Sequence, residues 1–127
     1  MINLYYGVSN SSSRKSVKWF SEQKIDINKK RIDYISRREL IHILSLSNNG
    51  FQDILKKSHI TTPYIRSMIQ QIVLMSFNES IDFILNHPEI LKVPIIVDET
   101  KLIIGYNSET IRTFIPRECR AFQLDRF

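Results

Sequence analysis

Ile2-Asn3-Leu4-Tyr5-Tyr6, then Ser9-Asn10-Ser11-Ser12-Ser13, then Arg14-Lys15 is the stretch on which the fold turns. The first five residues, apolar or aromatic apart from Asn3, read as a buried strand. The Ser/Asn run is a short polar loop. Its serines can cap a helix that runs from about Ser13 to Gln23. Val17 and Phe20 give that helix an apolar side, with Trp19 on its flank. Ile25-Asp26-Ile27 alternates and predicts a second strand. The chain therefore opens strand, helix, strand.

Further along, Ser36 and Glu39 have capping-box spacing and start a helix carrying Leu40, Ile43, Leu44 and Leu46. Ser47-Asn48-Asn49-Gly50 stops it, because Gly takes positive φ cheaply and Asn nearly so. From Phe51 to Leu91 the pattern is helical in short pieces. Phe51, Ile54 and Leu55 make one face; Ile65, Met68, Ile69, Ile72 and Val73 make another. Ser80, Phe83, Ile84 and Leu85 lie in a third piece, ended by His87-Pro88. Pro94-Ile95-Ile96-Val97 reads as a buried strand and Lys101-Leu102-Ile103-Ile104 as its hairpin partner across Asp98-Glu99-Thr100. Gly105-Tyr106-Asn107 turns the chain, and Ser108 caps a last helix with Ile111 and Phe114.

The 127 residues suffice for one domain with a real core. A hydrophobic fraction of 43% and a charged fraction of 24% fit a soluble globular chain. No apolar run approaches a membrane span, and the start lacks a signal-peptide pattern, so no membrane role and a cytoplasmic location are expected. One cysteine, Cys119, leaves no intramolecular disulfide. His42, His59 and His87 are scattered, and neither a metal nor a cofactor is expected. The net charge of +5 permits work near nucleic acid or an acidic partner without requiring it.

The order βαβ, helices, ββα is that of a thioredoxin-like α/β mixed sheet with a helical insertion between the halves. The expectation is a single domain over 1–127, with its core at about 1–35 and 92–118 and its insertion at about 36–91. In such folds Pro94 is the cis proline, and the corner after the first strand holds a reactive Cys-x-x-Cys. Here the two thiol positions hold Asn10 and Ser13, and neither side chain replaces a thiolate at neutral pH. Pro94-Ile95-Ile96-Val97-Asp98-Glu99, Gly105-Tyr106-Asn107, Ile111-Arg112, Phe114-Ile115-Pro116-Arg117 and Arg120-Ala121-Phe122-Gln123-Leu124 together resemble the Spx family, bacterial transcription regulators related in fold to the arsenate reductases. Arg14-Lys15 and His87-Pro88 fit the same frame, which lacks about two residues around Asp33–Ile35.

The resemblance implies a non-enzymatic regulator that binds the C-terminal domain of the RNA polymerase α subunit and meets promoter DNA only within the polymerase complex. It implies a contact through Gly50 with Asn49, Asn48 and Ser47, together with Asn10 and Ser11. Helix capping by Gly50 is the plainer reading of the same residue. An arginine frequent in the family on the preceding helix falls at Ser45. Arsenate reduction would need a thiolate and oxyanion-holding cations. The positions that the resemblance assigns to them carry the thiol-free loop, Val93 and about Ser58. No disulfide switch can operate, and abundance is the expected level of control. Cys119, flanked by Arg117, Glu118 and Arg120, is either a redox sensor or, more simply, a structural cysteine. Ser11-Ser12-Ser13 can hold an anion or serve only as a cap. Lys29-Lys30-Arg31 and Arg37-Arg38 can face phosphates or only solvent. The alternative functions are a degenerate thioredoxin-fold protein that binds a thiol or oxyanion, and a paralogue turned to another protein. A monomer is the simplest free state, since a one-to-one contact needs one face.

Overall fold

Successive residues of a strand face opposite sides of its sheet, so Leu4 and Tyr5 each seed a separate core. The computed structural model describes residues 1–116. In it β1 (Ile2–Tyr6) is an inner strand of a four-stranded sheet ordered β2-β1-β3-β4. β2 (Ile27–Arg31) runs parallel to β1, with Ile2 opposite Ile27. β3 (Ile95–Val97) is antiparallel to both β1 and β4 (Leu102–Ile104), which places Leu4 opposite Ile96 and Ile96 opposite Ile103.

One face carries Leu4 and Ile96 against Phe20 of α1 (Ser11–Glu22) and against Ile111 and Phe114. On the other face Tyr5, Ile95 and Val97 meet the inserted helices α2 (Arg37–Leu46), α3 (Phe51–Ile54), α4 (Pro63–Ile72) and α5 (Phe77–Asn86). The buried contributions there include Leu40 and Ile43 of α2, Met68 and Ile72 of α4, and Ile81 and Ile84 of α5. The mixed α/β sheet, the hairpin and the cis Val93–Pro94 bond are as the sequence predicts. Asp98 builds the hairpin by accepting the Thr100 and Lys101 amides on one carboxylate oxygen, at 2.8 and 2.7 Å.

Four local expectations need correction. α1 begins at Ser11, and Asn10 rather than a serine is its cap, Oδ1 accepting the Ser13 amide at 2.7 Å. The second strand is Ile27–Arg31, not Ile25–Ile27. Lys24 turns left-handed (φ 57°) and Ile25 donates its amide to Phe20, so Ile25 closes the helix end and pairing starts only at Ile27. The last helical piece is a 3-10 turn, Thr110–Phe114, with Asn107 rather than Ser108 accepting the Glu109 and Thr110 amides. Finally, Gly50 does not end α2. Ser47 does, and Gly50 instead precedes α3. The tail from Arg117, including Cys119 and Arg120, lies outside the described residues.

Candidate functional site

The corner after β1 is built of small polar groups that satisfy one another. Ser13 is buried, and its Oγ accepts the Gly7 amide at 3.1 Å. Ser16, also buried, donates its hydroxyl to the Ser12 carbonyl at 2.9 Å. Asn10 is committed to the helix cap. Asn10 and Ser13 therefore both hold the loop in shape. Among the described residues Ser13 has no histidine or carboxylate partner, so nothing activates it as a nucleophile. Val93 closes the other side. A Cβ on Gly7 would sit 2.8 Å from Val93 Cγ2, so this hydrocarbon branch leaves no room for a side chain at position 7. Beside the corner runs an open cleft of about 800 Å³ whose lining includes Tyr6, Ser13, Arg14, Val17 and Lys29.

The second loop follows α2. The Ser47 amide and hydroxyl both donate to the Leu44 carbonyl, at 3.2 and 2.7 Å, and stop the helix. The Asn48 and Asn49 amides then donate to Asp53 Oδ2 at 3.0 and 2.9 Å, and Asn49 Nδ2 reaches Oδ1 at 3.3 Å. These donors, the Asn49 amide first, hold the Asp53 carboxyl below its usual range. Gly50 has φ 65° and ψ −133°, and a Cβ there would meet nothing within 4 Å. Its backbone is thus required to be glycine by conformation and is open to an approaching surface. A small cleft of about 320 Å³ separates the loop from Leu102 and Ile104 of β4. Asp53 went unnoticed in the sequence. Its signal is an acid in the first turn of a helix just after Asn-Asn-Gly.

α2 itself is firmly mounted. Glu39 closes the capping box with Ser36, and it also accepts the Tyr5 hydroxyl from β1 and Lys30 Nζ from β2, the latter at 2.6 Å. Burial works against the Glu39 charge, but Lys30, Tyr5 and Ser36 outweigh it and hold the carboxyl at about 2. Burial, reinforced by the Glu39 carboxylate, pushes the Tyr5 phenol well above its usual range. His42 Nε2 lies 2.8 Å from the Asp98 carbonyl, tying α2 to the β3–β4 hairpin. Arg37 bonds Asp82 and Asn78 of α5.

The structure joins Asn10 to Ser13, and it joins Asn48 to Asn49 through Asp53. No hydrogen bond among the described residues links the two loops directly. The connection runs through Tyr5 and Glu39 to α2. Of the basic clusters, Lys30 pairs with Glu39, Arg31 with Asp33 and Arg37 with Asp82. Ser45 is exposed on α2 and its hydroxyl donates back to the His42 carbonyl. Among the described residues no group of His, Cys, Asp and Glu could hold a metal ion, and no helix is long and apolar enough to cross a membrane.

Residues 5–114 match the ArsC family. The chain is 36% identical over 124 residues to global transcriptional regulator Spx 2 of Bacillus anthracis, covering 96% of this chain and 92% of that protein. It is 32% identical over 126 residues to global transcriptional regulator Spx of Bacillus subtilis (strain 168), covering 98% and 94%. A solved ArsC-related protein from Bacteroides fragilis superposes with a TM-score of 0.72 at 19% identity, over 88% of this chain and 95% of that one. The arsenate reductase from Vibrio cholerae does so at 0.67 and 15% identity, over 88% and 92%. The solved neighbours establish the thioredoxin-like fold of the arsenate reductases.

Proposed function

The chain belongs to the ArsC family, among relatives of the Spx type, and on that premise we propose that it is a transcription regulator that binds the C-terminal domain of the RNA polymerase α subunit. The contact runs through Ser47-Asn48-Asn49-Gly50, with Asn10 and Ser11 as a second patch. The observation that carries this reading is the Gly50 loop: left-handed, without a Cβ, open outward and held by Asp53. A backbone so presented suits close approach by a folded partner. The protein acts without catalysis and without a disulfide switch, because Asn10 and Ser13 are engaged in capping and loop closure. Promoter DNA is met within the polymerase complex, in the cytoplasm, by a protein that is monomeric when free.

Calorimetry with the isolated α C-terminal domain tests this. We expect micromolar or tighter binding, lost in Gly50→Arg and unchanged by reductant or oxidant. Absence of binding would mean a scaffold turned to another protein. The cleft beside Arg14 and Lys29 favours one second reading, a degenerate fold that holds a thiol or oxyanion ligand. Turnover in a thiol-reductase or arsenate assay would replace the first reading with that one.

A further inference from the structure

Val73 and Leu74, at the turn between α4 and α5, are 82% and 90% exposed, and Phe77 is 51% exposed just beyond them. Other large apolar groups, such as Val8 and Ile60, are exposed too, but these three lie within five residues of one another, at one turn. Val73 and Phe77 are also walls of a cleft of about 730 Å³, which Phe51, Ile69 and Met75 complete. The Phe51 and Phe77 rings meet at 5.6 Å and form its apolar floor.

The rim is charged with one sign. Lys56, Lys57 and Lys92 line the cleft, with His59 beside them, and among the described residues no acidic one does. The acids on the surrounding segments each have another hydrogen-bond partner, Glu89 facing His87. α4 contains no Asp or Glu. Asp53 of α3 faces the Asn48 and Asn49 amides, although Lys92 also acts on it from a distance. Glu79 of α5 is bonded to Ser76, and Asp82 to Arg37. Lys56 and Lys57 make no ion pair with a described carboxylate.

We propose that this cleft docks an acidic amphipathic segment of a protein partner. Its apolar side chains, spaced as on one helix face, would fill the Phe51–Phe77 floor, and Asp or Glu on the flanks would meet the lysine rim. Nucleic acid satisfies the lysines and its bases can stack on the two rings, but it brings no aliphatic group for the Ile69, Val73 and Met75 walls. The chain's own last residues, Arg117–Phe127, bring apolar groups but carry three arginines against two acids, the wrong sign for the rim. The inference does not rest on the polymerase reading, which concerns a different loop.

A random library of peptides about twelve residues long, roughly 18 Å as helix, is selected on the full chain. Binders are then titrated by fluorescence anisotropy against the wild type and two variants, Val73→Asp and Lys56→Glu with Lys57→Glu. Val73 is largely exposed, so its variant should melt as the wild type does. We expect enrichment of net-acidic peptides with apolar residues at three- and four-residue spacing. Their affinity should fall about tenfold or more in either variant, about 1.4 kcal/mol or more. The proposal is overturned by no enrichment, by basic or unpatterned binders, or by binding that survives both variants. Displacement of the peptide by a DNA duplex, by a synthetic 117–127 peptide or by the polymerase α domain would equally overturn it, assigning the cleft to that occupant. Both variants should still bind the α domain, which keeps this test separate from that of the Gly50 loop.

Discussion

A Cβ on Gly7 would lie 2.8 Å from Val93 Cγ2, whereas one on Gly50 would meet nothing within 4 Å. The two glycines are therefore irreplaceable for different physical reasons, and mutation should tell them apart. Gly7→Ala overpacks the corner and should cost about 1–3 kcal/mol. Val93→Ala removes the offending methyl, so the double variant should be more stable than the sum of the single changes by about 1 kcal/mol. Simple additivity in urea denaturation would refute the contact. Gly50→Ala should cost about 1–3 kcal/mol through backbone conformation alone, and no neighbouring truncation should recover it. Asp53→Ala should leave the Asn48 and Asn49 amides without their acceptor and, on the proposed function, weaken binding of the α C-terminal domain several-fold, with little change in melting temperature. That neither Asn10 nor Ser13 carries a thiol is legible from residue identity alone. The contact of Val93 with the first loop is not, because it arises from packing that residue identity and spacing do not reveal, whereas Asp53 leaves only the weak signal of an acid following Asn-Asn-Gly.

Among elements, α2 was the most legible and β2 the least. Ser36 and Glu39 announce a helix start by spacing alone, and both halves of the capping box are present. β2 is Ile-Asn-Lys-Lys-Arg, an edge strand whose apolar content is a single Ile, so a search for alternation settles on Ile25-Asp26-Ile27 instead. Charge on an edge is itself a protection against unwanted pairing. Lys30 of that strand also reaches Glu39, a link that no local pattern reveals. Glu39 is held at about 2 against a usual 4.5, so its contribution to stability is complete above the unfolded value and is lost as pH falls through about 2. The full gap corresponds to about 3 kcal/mol, and screening by water at this partly exposed site reduces the expected gain to about 1–2 kcal/mol. Glu39→Gln should be less stable than the wild type by that amount at pH 7. The two proteins should converge toward pH 2 in denaturant titrations.

For the whole molecule, the order of strands and helices could be read from the chain, because Ile95–Val97 and Leu102–Ile104 are apolar runs on either side of a polar hairpin. The division into two cores could not, since it depends on which strand residue faces which layer. The smaller core depends on a few large side chains, with the Phe20 and Phe114 rings 5.8 Å apart. Phe114→Ala should cost about 3–5 kcal/mol, and a loss below 1 kcal/mol in urea denaturation would show that the 3-10 segment contributes little to holding the sheet. The mounting of α2 carries a further consequence. It is fastened to β1 and β2 through Glu39, to α5 through Arg37 and to the hairpin through His42, and Asp53 holds the segment that follows it. The partner proposed for that segment would find it already in shape and have little disorder to remove. Encounter rates should then vary little between variants of the segment, and differences in affinity should be read in how long the complex lasts.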